Sequence, residues 1–325
     1  MAQATGSAGR IAIVEEAVFG VTPTNPTLQK LNITYGESLM AESDELIDDT
    51  INAYRGTTDS RNGLVKVTGS IPFNIGVDGM ALLIKLLTGD ITTTQNAVNP
   101  LLYDHVFKRG NALTSFTLEK RFTDIGQSFI YTGLKVDSLK LQMEPGTLAK
   151  ASVDVKGKAY STSDTPLSTN ITEYVQFSYA NFEGGVLEGV DSPKLLNLSL
   201  ELKNNVYTND VVGSKFVDSI GAGQGEITGD ITVQFKDMIY FNKWANESEE
   251  SLTMTYTTSV GANAGKQFKI HLPRIKFNGS ASPAIADKEG VKLTLKFRAF
   301  IDLVSTSPTY GTDFVITVTD SQATV

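Results

Sequence analysis

Residue types able to carry chemistry are sparse in this chain of 325 residues. It has two histidines, His105 and His271, and no cysteine. Imidazole is the side chain whose ordinary pKa lies closest to neutral pH, so these two are the natural general bases. Neither sits in a catalytic motif. His271 is flanked by Ile270 and Leu272 in the alternating pattern of a strand, which points to a surface or interface position rather than a reaction centre. The lack of cysteine removes disulfides, thiolate metal sites and thiol nucleophiles together, so stability must come from packing, sheet pairing or assembly.

Other groupings also have simple explanations. Glu42, Asp44, Glu45, Asp48 and Asp49 could offer hard oxygen ligands, but the ordered spacing and central glycine of a calcium loop are missing. Glu249 and Glu250 are neighbours in sequence, whereas glycoside hydrolysis needs two carboxylates facing each other across a cleft. Gly221-Ala222-Gly223-Gln224-Gly225 precedes a strand, where a dinucleotide site would follow one. Tyr240, Phe241 and Trp244 suit a core better than a ligand pocket. HExxH, GxSxG, SxxK and Walker patterns are absent. The expectation is a protein with no catalytic, cofactor-binding or metal-binding residue, and therefore not an enzyme.

Composition narrows the class further. With 41% apolar and 20% charged residues the chain is ordinary globular material. No apolar run approaches the ~20 residues of a membrane helix, and Met1 to Arg10 lacks a signal-peptide core, so cytoplasmic synthesis without membrane insertion is expected. The formal charge is −8, from 28 basic and 36 acidic residues, and the cations are scattered. Gripping a phosphate backbone takes several converging cations, so any nucleic acid this chain meets is expected to slide past it.

The elements are organised around Gly63 to Ile75. Val65, Val67, Gly69, Ile71, Phe73 and Ile75 alternate with Lys66, Thr68, Ser70, Pro72 and Asn74, a strand with one packed and one wet face. Asp78 offers an N-cap, Met80, Leu83, Ile84 and Leu87 follow helical spacing, and Gly89 marks a helix end. The unit recurs as Gly225 to Phe235 and a second helix ending at Trp244 and Ala245. One offset carries Thr68-Gly69 to Thr228-Gly229, Ile71 to Ile231 and Phe73 to Val233. The chain reads as a duplication.

In order, residues 1–30 form an N-terminal arm or cover strand, 31–160 a first domain, 161–170 a linker, 171–304 a second domain and 305–325 a β-rich C-terminal extension. Leu31, Ile33 and Tyr35 make a first strand; Met40 to Asn62 is a long acidic loop; Thr88 to Asn111 is a second excursion. Strands follow at Leu113 to Arg121, Ser128 to Leu134, Val136 to Leu141 and Ala151 to Lys158. In the second half Val206 to Gln224 replaces the first long loop, Arg274 to Phe277 echoes Ser138 to Leu141, and Leu293, Leu295 and Phe297 echo Val153 and Val155. The first half carries 21 extra residues after its helix. Each half is therefore a mainly β (α+β) domain of packed antiparallel sheets with one short helix.

Such sheets leave open edges, which invite pairing. Closing the sheets of several copies into one barrel removes every edge, and three duplicated chains would place six similar domains around a channel.

Glu15-Glu16-Ala17-Val18-Phe19-Gly20-Val21-Thr22-Pro23, the Arg55 to Arg61 segment before Gly63 to Ile71, and the helix from Met80 to Leu87 resemble the major tail tube proteins of long-tailed bacteriophages. The resemblance implies a virion-tail protein whose stacked rings share an inner β-barrel through which phage DNA is delivered. It implies trimeric rings with pseudo-hexameric geometry, with a tape measure protein, tail-tip and tail-terminator proteins as partners. It also makes Glu42, Asp44, Glu45, Asp48, Asp49, Tyr54, Arg55, Asp210 and Lys215 the ring-stacking candidates. An acidic, weakly polar lining would repel phosphate. Lys66, Thr68, Ser70, Asn74, Glu226, Thr228, Asp230, Thr232 and Gln234 are the expected lumen residues. The alternatives are a tail-tip or neck ring of the same fold, a surface or adhesin-like β-protein, and a β-rich hydrolase.

Overall fold

The computed structural model describes residues 3–51, 53–76, 79–172, 177, 182–187, 195–258, 264–281, 283 and 290–325. The first half runs β1 (Gly9–Glu15), β2 (Leu28–Leu31), β3 (Met40–Ile47), β4 (Ser60–Asn74), α1 (Met80–Thr88), β5 (Gly89–Gln95), β6 (Tyr103–Arg109), β7 (Phe116–Phe122), β8 (Gln127–Met143), β9 (Lys150–Gly157) and β10 (Ala159–Ser163). The second runs β11 (Ile171–Thr172), β12 (Phe182–Leu187), β13 (Leu195–Lys203), β14 (Tyr207–Asn209), β15 (Ser219–Gly221), β16 (Glu226–Gln234), α2 (Ile239–Ala245), β17 (Glu249–Thr257), β18 (Gln267–Asn278), β19 (Lys292–Ala299) and β20 (Val315–Asp320). The described residues are mainly β, in large antiparallel sheets with two α-helices.

The duplication is visible in the pairings. Strands β3, β4, β9 and β8 are successive antiparallel neighbours, as are β13, β16, β19 and β18. Gly69 faces Val155 and Ile71 faces Val153, while Gly229 faces Phe297 and Ile231 faces Leu295. The Thr-Gly step recurs for a steric reason. A Cβ on Gly69 would lie 2.4 Å from the Leu39 Cα, and one on Gly229 would lie 2.4 Å from the Ser199 carbonyl oxygen. The echo between Arg274–Phe277 and Ser138–Leu141 is looser: Leu141 faces Ala151, whereas Phe277 faces Phe297 rather than Leu293. That shift of pairing is even, so the apolar faces still match.

Strands β8 and β18 each serve two sheets. The start of β8 lies between β7 and β10, and the start of β18 between β17 and β20. β1 covers β7 as β12 covers β17. Ser128 to Leu134 and Val136 to Leu141, expected as separate strands, form one 17-residue strand. Gly133, at φ +65, and a register shift between Val136 and Ser138 bend it without ending it.

Buried side chains of both halves join into one core that includes Ile71, Phe73, Leu139, Leu200, Ile231 and Phe297. Helix α1 buries six apolar residues in it and ends at Gly89, at φ +78. The expected N-cap, Asp78, lies outside the described residues; Gly79, at φ +80, precedes the helix. Helix α2 has no buried residue, and Tyr240, Phe241 and Trp244 pack half-buried against the core.

Several segments differ from expectation. Met40 to Asn62 contains most of a β3–β4 hairpin rather than a loop, because cross-strand partners such as Glu42 and Lys66 pair strands that are exposed on both faces. Such strands lack the apolar alternation by which a strand is recognised. The first strand stops at Leu31, Ile33 keeps a single bridge to Phe73, and Tyr35 is exposed. The 1–30 segment contains β1, paired with β7 along its whole length and burying Ile11, Ala12 and Ile13. The insertion between Thr88 and Asn111 is the β5–β6 hairpin, and the C-terminal extension supplies β20, which lies between β18 and β6. Insertion and tail together bind one half to the other.

Candidate functional site

Along β4, Lys66, Thr68, Ser70 and Asn74 alternate with buried Val67, Ile71 and Phe73; along β16, Glu226, Thr228, Asp230, Thr232 and Gln234 alternate with buried Ile227, Ile231 and Val233. Residues directly opposite one another on paired strands share a face. One row across the sheet runs Ser70, Asp154, Ser138, Lys203, Glu226; another runs Asn74, Lys150, Gln142, Ser199, Asp230, Lys296. The nine expected lumen residues therefore lie on one side of a continuous sheet. The joint is β8 against β13, where Leu139 faces Leu202 and Leu141 faces Leu200. Across this joint the face is concave, with a groove of about 650 Å³ lined by Lys140, Gln142, Lys150, Ser199, Asp230 and Lys296 among others.

The charge of this face is mixed rather than acidic. The intervening strands bring Lys140, Lys150, Lys156, Lys203, Lys296 and Arg298, so cations outnumber carboxylates there. Many are neutralised locally. Lys140 lies 2.7 Å from Asp154 and 3.6 Å from Glu201, Lys203 lies 3.1 Å from Glu201, and Arg298 lies 2.6 Å from Glu226. Burial pushes the Asp154 carboxyl up, but hydrogen bonds donated by Lys140, Ser70 and Ser138 outweigh it and hold the group below the usual carboxylate range. The Lys140 ammonium is raised chiefly by its hydrogen bond to Asp154. The cations were legible as Lys292, Lys296 and Arg298 at even spacing in one strand, but not that the fold sets them beside Asp230 and Glu226.

The stacking candidates fall into two loops. Glu42, Asp44 and Glu45 lie on exposed β3, with Asp44 2.9 Å from Lys66. Beyond β3, Asp48 accepts hydrogen bonds from the Thr50 amide and the Thr50 and Thr58 hydroxyls, which hold its carboxyl below the usual range. Asp49, Tyr54 and Arg55 are exposed near the tip, as are Leu46, Ile47 and Ile51. Only part of Val206 to Gln224 projects. Val206, Val217 and Ile220 pack on Leu113, Lys135 Nζ donates to the Ile220 carbonyl at 2.8 Å, and Lys156 Nζ donates to the Val206 carbonyl at 2.6 Å. The exposed tip holds Asp210 and Lys215. The Val65 amide donates to the Lys215 carbonyl at 2.8 Å, which sets this tip beside the β3–β4 hairpin.

The histidines are tied into the sheets. His105 is fully buried, with Nε2 3.1 Å from Asp320 Oδ1 and 3.0 Å from the Gln322 carbonyl, and Nδ1 2.9 Å from Thr93 Oγ1. Both Nε2 partners are acceptors, so Nε2 carries a proton. His271 is partly buried against Thr253, and burial first, then Lys269, lowers its pKa against the opposing effect of Asp302. Among the described residues no three histidine, aspartate or glutamate side chains converge as a metal site.

A family model described as phage tail tube protein matches residues 6–299. No curated protein is similar enough to match the sequence. A match over that span, on a duplicated β fold with a concave polar sheet, means that the chain belongs to the phage tail tube protein family.

Proposed function

We propose that this structural tail protein closes into trimeric rings, that the rings stack into a hollow tube, and that phage DNA is delivered through it. The joint between β8 and β13 carries the reading: it extends the sheet of one domain into that of the next, while the outer edge of β3 has no strand partner among the described residues. An open edge at the end of a curved sheet favours pairing with another copy. Three chains then give a pseudo-sixfold barrel with the concave polar face inward, lined by Lys66, Thr68, Ser70, Asn74, Glu226, Thr228, Asp230, Thr232 and Gln234.

Mixed charge suits a conduit. Many of the lysines that phosphates would meet are already held by carboxylates, so fewer counterions are released and the duplex is gripped less tightly. The tips carrying Asp48, Asp49, Tyr54, Arg55, Asp210 and Lys215 reach the next ring. A tape measure protein inside the growing tube, and tail-tip and terminator proteins at its ends, are the further partners, with synthesis in the host cytoplasm. Negative-stain microscopy and sedimentation of the purified protein test the reading. Hollow filaments or trimeric rings are expected; a compact monomer under all conditions overturns it.

A further inference from the structure

The joint inside the chain also describes a contact that one chain lacks. Lys135 on β8 faces Lys156 on β9; counted from the Gly69–Val155 and Gly229–Phe297 pairs, the corresponding cross-strand pair of the second half is Lys276 on β18 facing Arg298 on β19. The first pair is covered: both lysines donate to carbonyls of the loop that connects β13 to β16, and burial lowers the Lys135 ammonium. The second pair is open, its side chains 35% and 49% exposed and held, among the described residues, by Glu249 and Glu226.

The surroundings of the second pair are unfinished in the same way. A groove of about 540 Å³ runs between α2 and β18, lined by Trp244, Lys276, Phe277 and Phe300. Beside it Ile301, Leu303 and Val304 stand exposed. Its counterpart on the first half, α1, is buried by the β5–β6 insertion, which the second half does not have.

The repeat identifies the occupant. The connection equivalent to the β13–β16 loop is the β3–β4 hairpin, and within one chain it lies at the far end of the sheet from Lys276. Its β3 strand carries Glu42, Asp44 and Glu45, complementary to Lys276 and Arg298, with exposed Leu46 and Ile47 to meet Ile301, Leu303 and Val304. Opposite ends of the sheet can meet only between copies.

We infer that the Lys276–Arg298 pair and the groove beside α2 receive the acidic β3–β4 hairpin of a second copy, so that Glu42, Asp44 and Glu45 act sideways within a ring rather than between rings. This rests on the ring reading above.

The test is charge reversal and restoration, read by sedimentation and negative stain, with circular dichroism as a check on folding. Lys276→Glu with Arg298→Glu should weaken self-association by about tenfold or more, since like charges are then juxtaposed across the contact. Glu42→Lys with Glu45→Lys should do the same, and the four changes together should restore assembly. Unimpaired assembly of either folded double variant, or failure of the folded quadruple variant to recover, overturns the inference. A parent protein that stays monomeric instead overturns the ring reading on which it depends.

Discussion

His105 and Asp320 meet at 3.1 Å in a site with no solvent exposure, although 215 residues separate them in the chain. The contact fastens the C-terminal strand β20 to the β5–β6 insertion, and through them the second half to the first. Removing one partner strands the other in the interior. His105→Leu should therefore lower stability by about 3 kcal/mol, in the range for a broken buried pair. Replacing both residues with leucine should recover part of the loss, because neither member of the pair then leaves the other behind, although Thr93 and the Gln322 backbone lose the hydrogen bonds that these two side chains supply. Urea unfolding of the single and double variants measures both effects; a double variant no better than the single would show that the site tolerates no apolar filling.

Gly69→Ala and Gly229→Ala should each destabilise by about 1–3 kcal/mol, the usual cost of forcing extra volume into a packed interior. At both positions the added Cβ lies 2.4 Å from a neighbouring backbone atom, which cannot swing away as a side-chain end could. Alanine at Gly146, at a turn with nothing within 4 Å, meets no such clash and loses only the ease with which glycine holds its φ of +79. Thermal melts of the three variants should rank accordingly.

The strands that the sequence disclosed are those with one wet and one packed face, such as Val67 to Phe73 and Leu198 to Leu202. Hydrophobic alternation records which side of a strand is buried, so the duplication and the polar face could be read directly. The β3–β4 hairpin escaped because both its faces are wet, and β8 was divided because a bend at Gly133 looks locally like an end. The role of His105 was hidden for a different reason: its partner comes from a strand whose address is set by tertiary pairing. The lysines of the concave face were each visible, but their convergence depends on the register of β9, β8, β13 and β19, which no local pattern fixes.

Acid should loosen the second half at the corner around Glu249. Hydrogen bonds from Arg274 and Lys276 lower its carboxyl from 4.5 to about 2. A carboxyl depressed on folding adds stability above its unfolded value and loses it as pH falls through the folded one, here between 4.5 and about 2. The group is largely exposed, so the contribution is small and salt should diminish it. Melting temperatures of the parent and Glu249→Gln, followed from pH 6 downward at low and high salt, should converge as the pH approaches about 2.

Placing lysine at Thr228, Asp230 and Gln234 asks whether the concave face lines the passage. These positions alternate with Ile227, Ile231 and Val233, which stay buried and unchanged, so the sheet should still form. The substitutions remove the carboxylate that faces Lys296 and add three cations, of which only the one at position 228 has a carboxylate directly opposite, Glu201, already shared by Lys140 and Lys203. Phosphates would then meet free lysines and release their counterions, converting a sliding surface into a binding one. Tubes should assemble normally while genome delivery slows, and the defect should ease as salt rises. Unchanged infectivity from normally assembled tubes would mean that this face points away from the DNA.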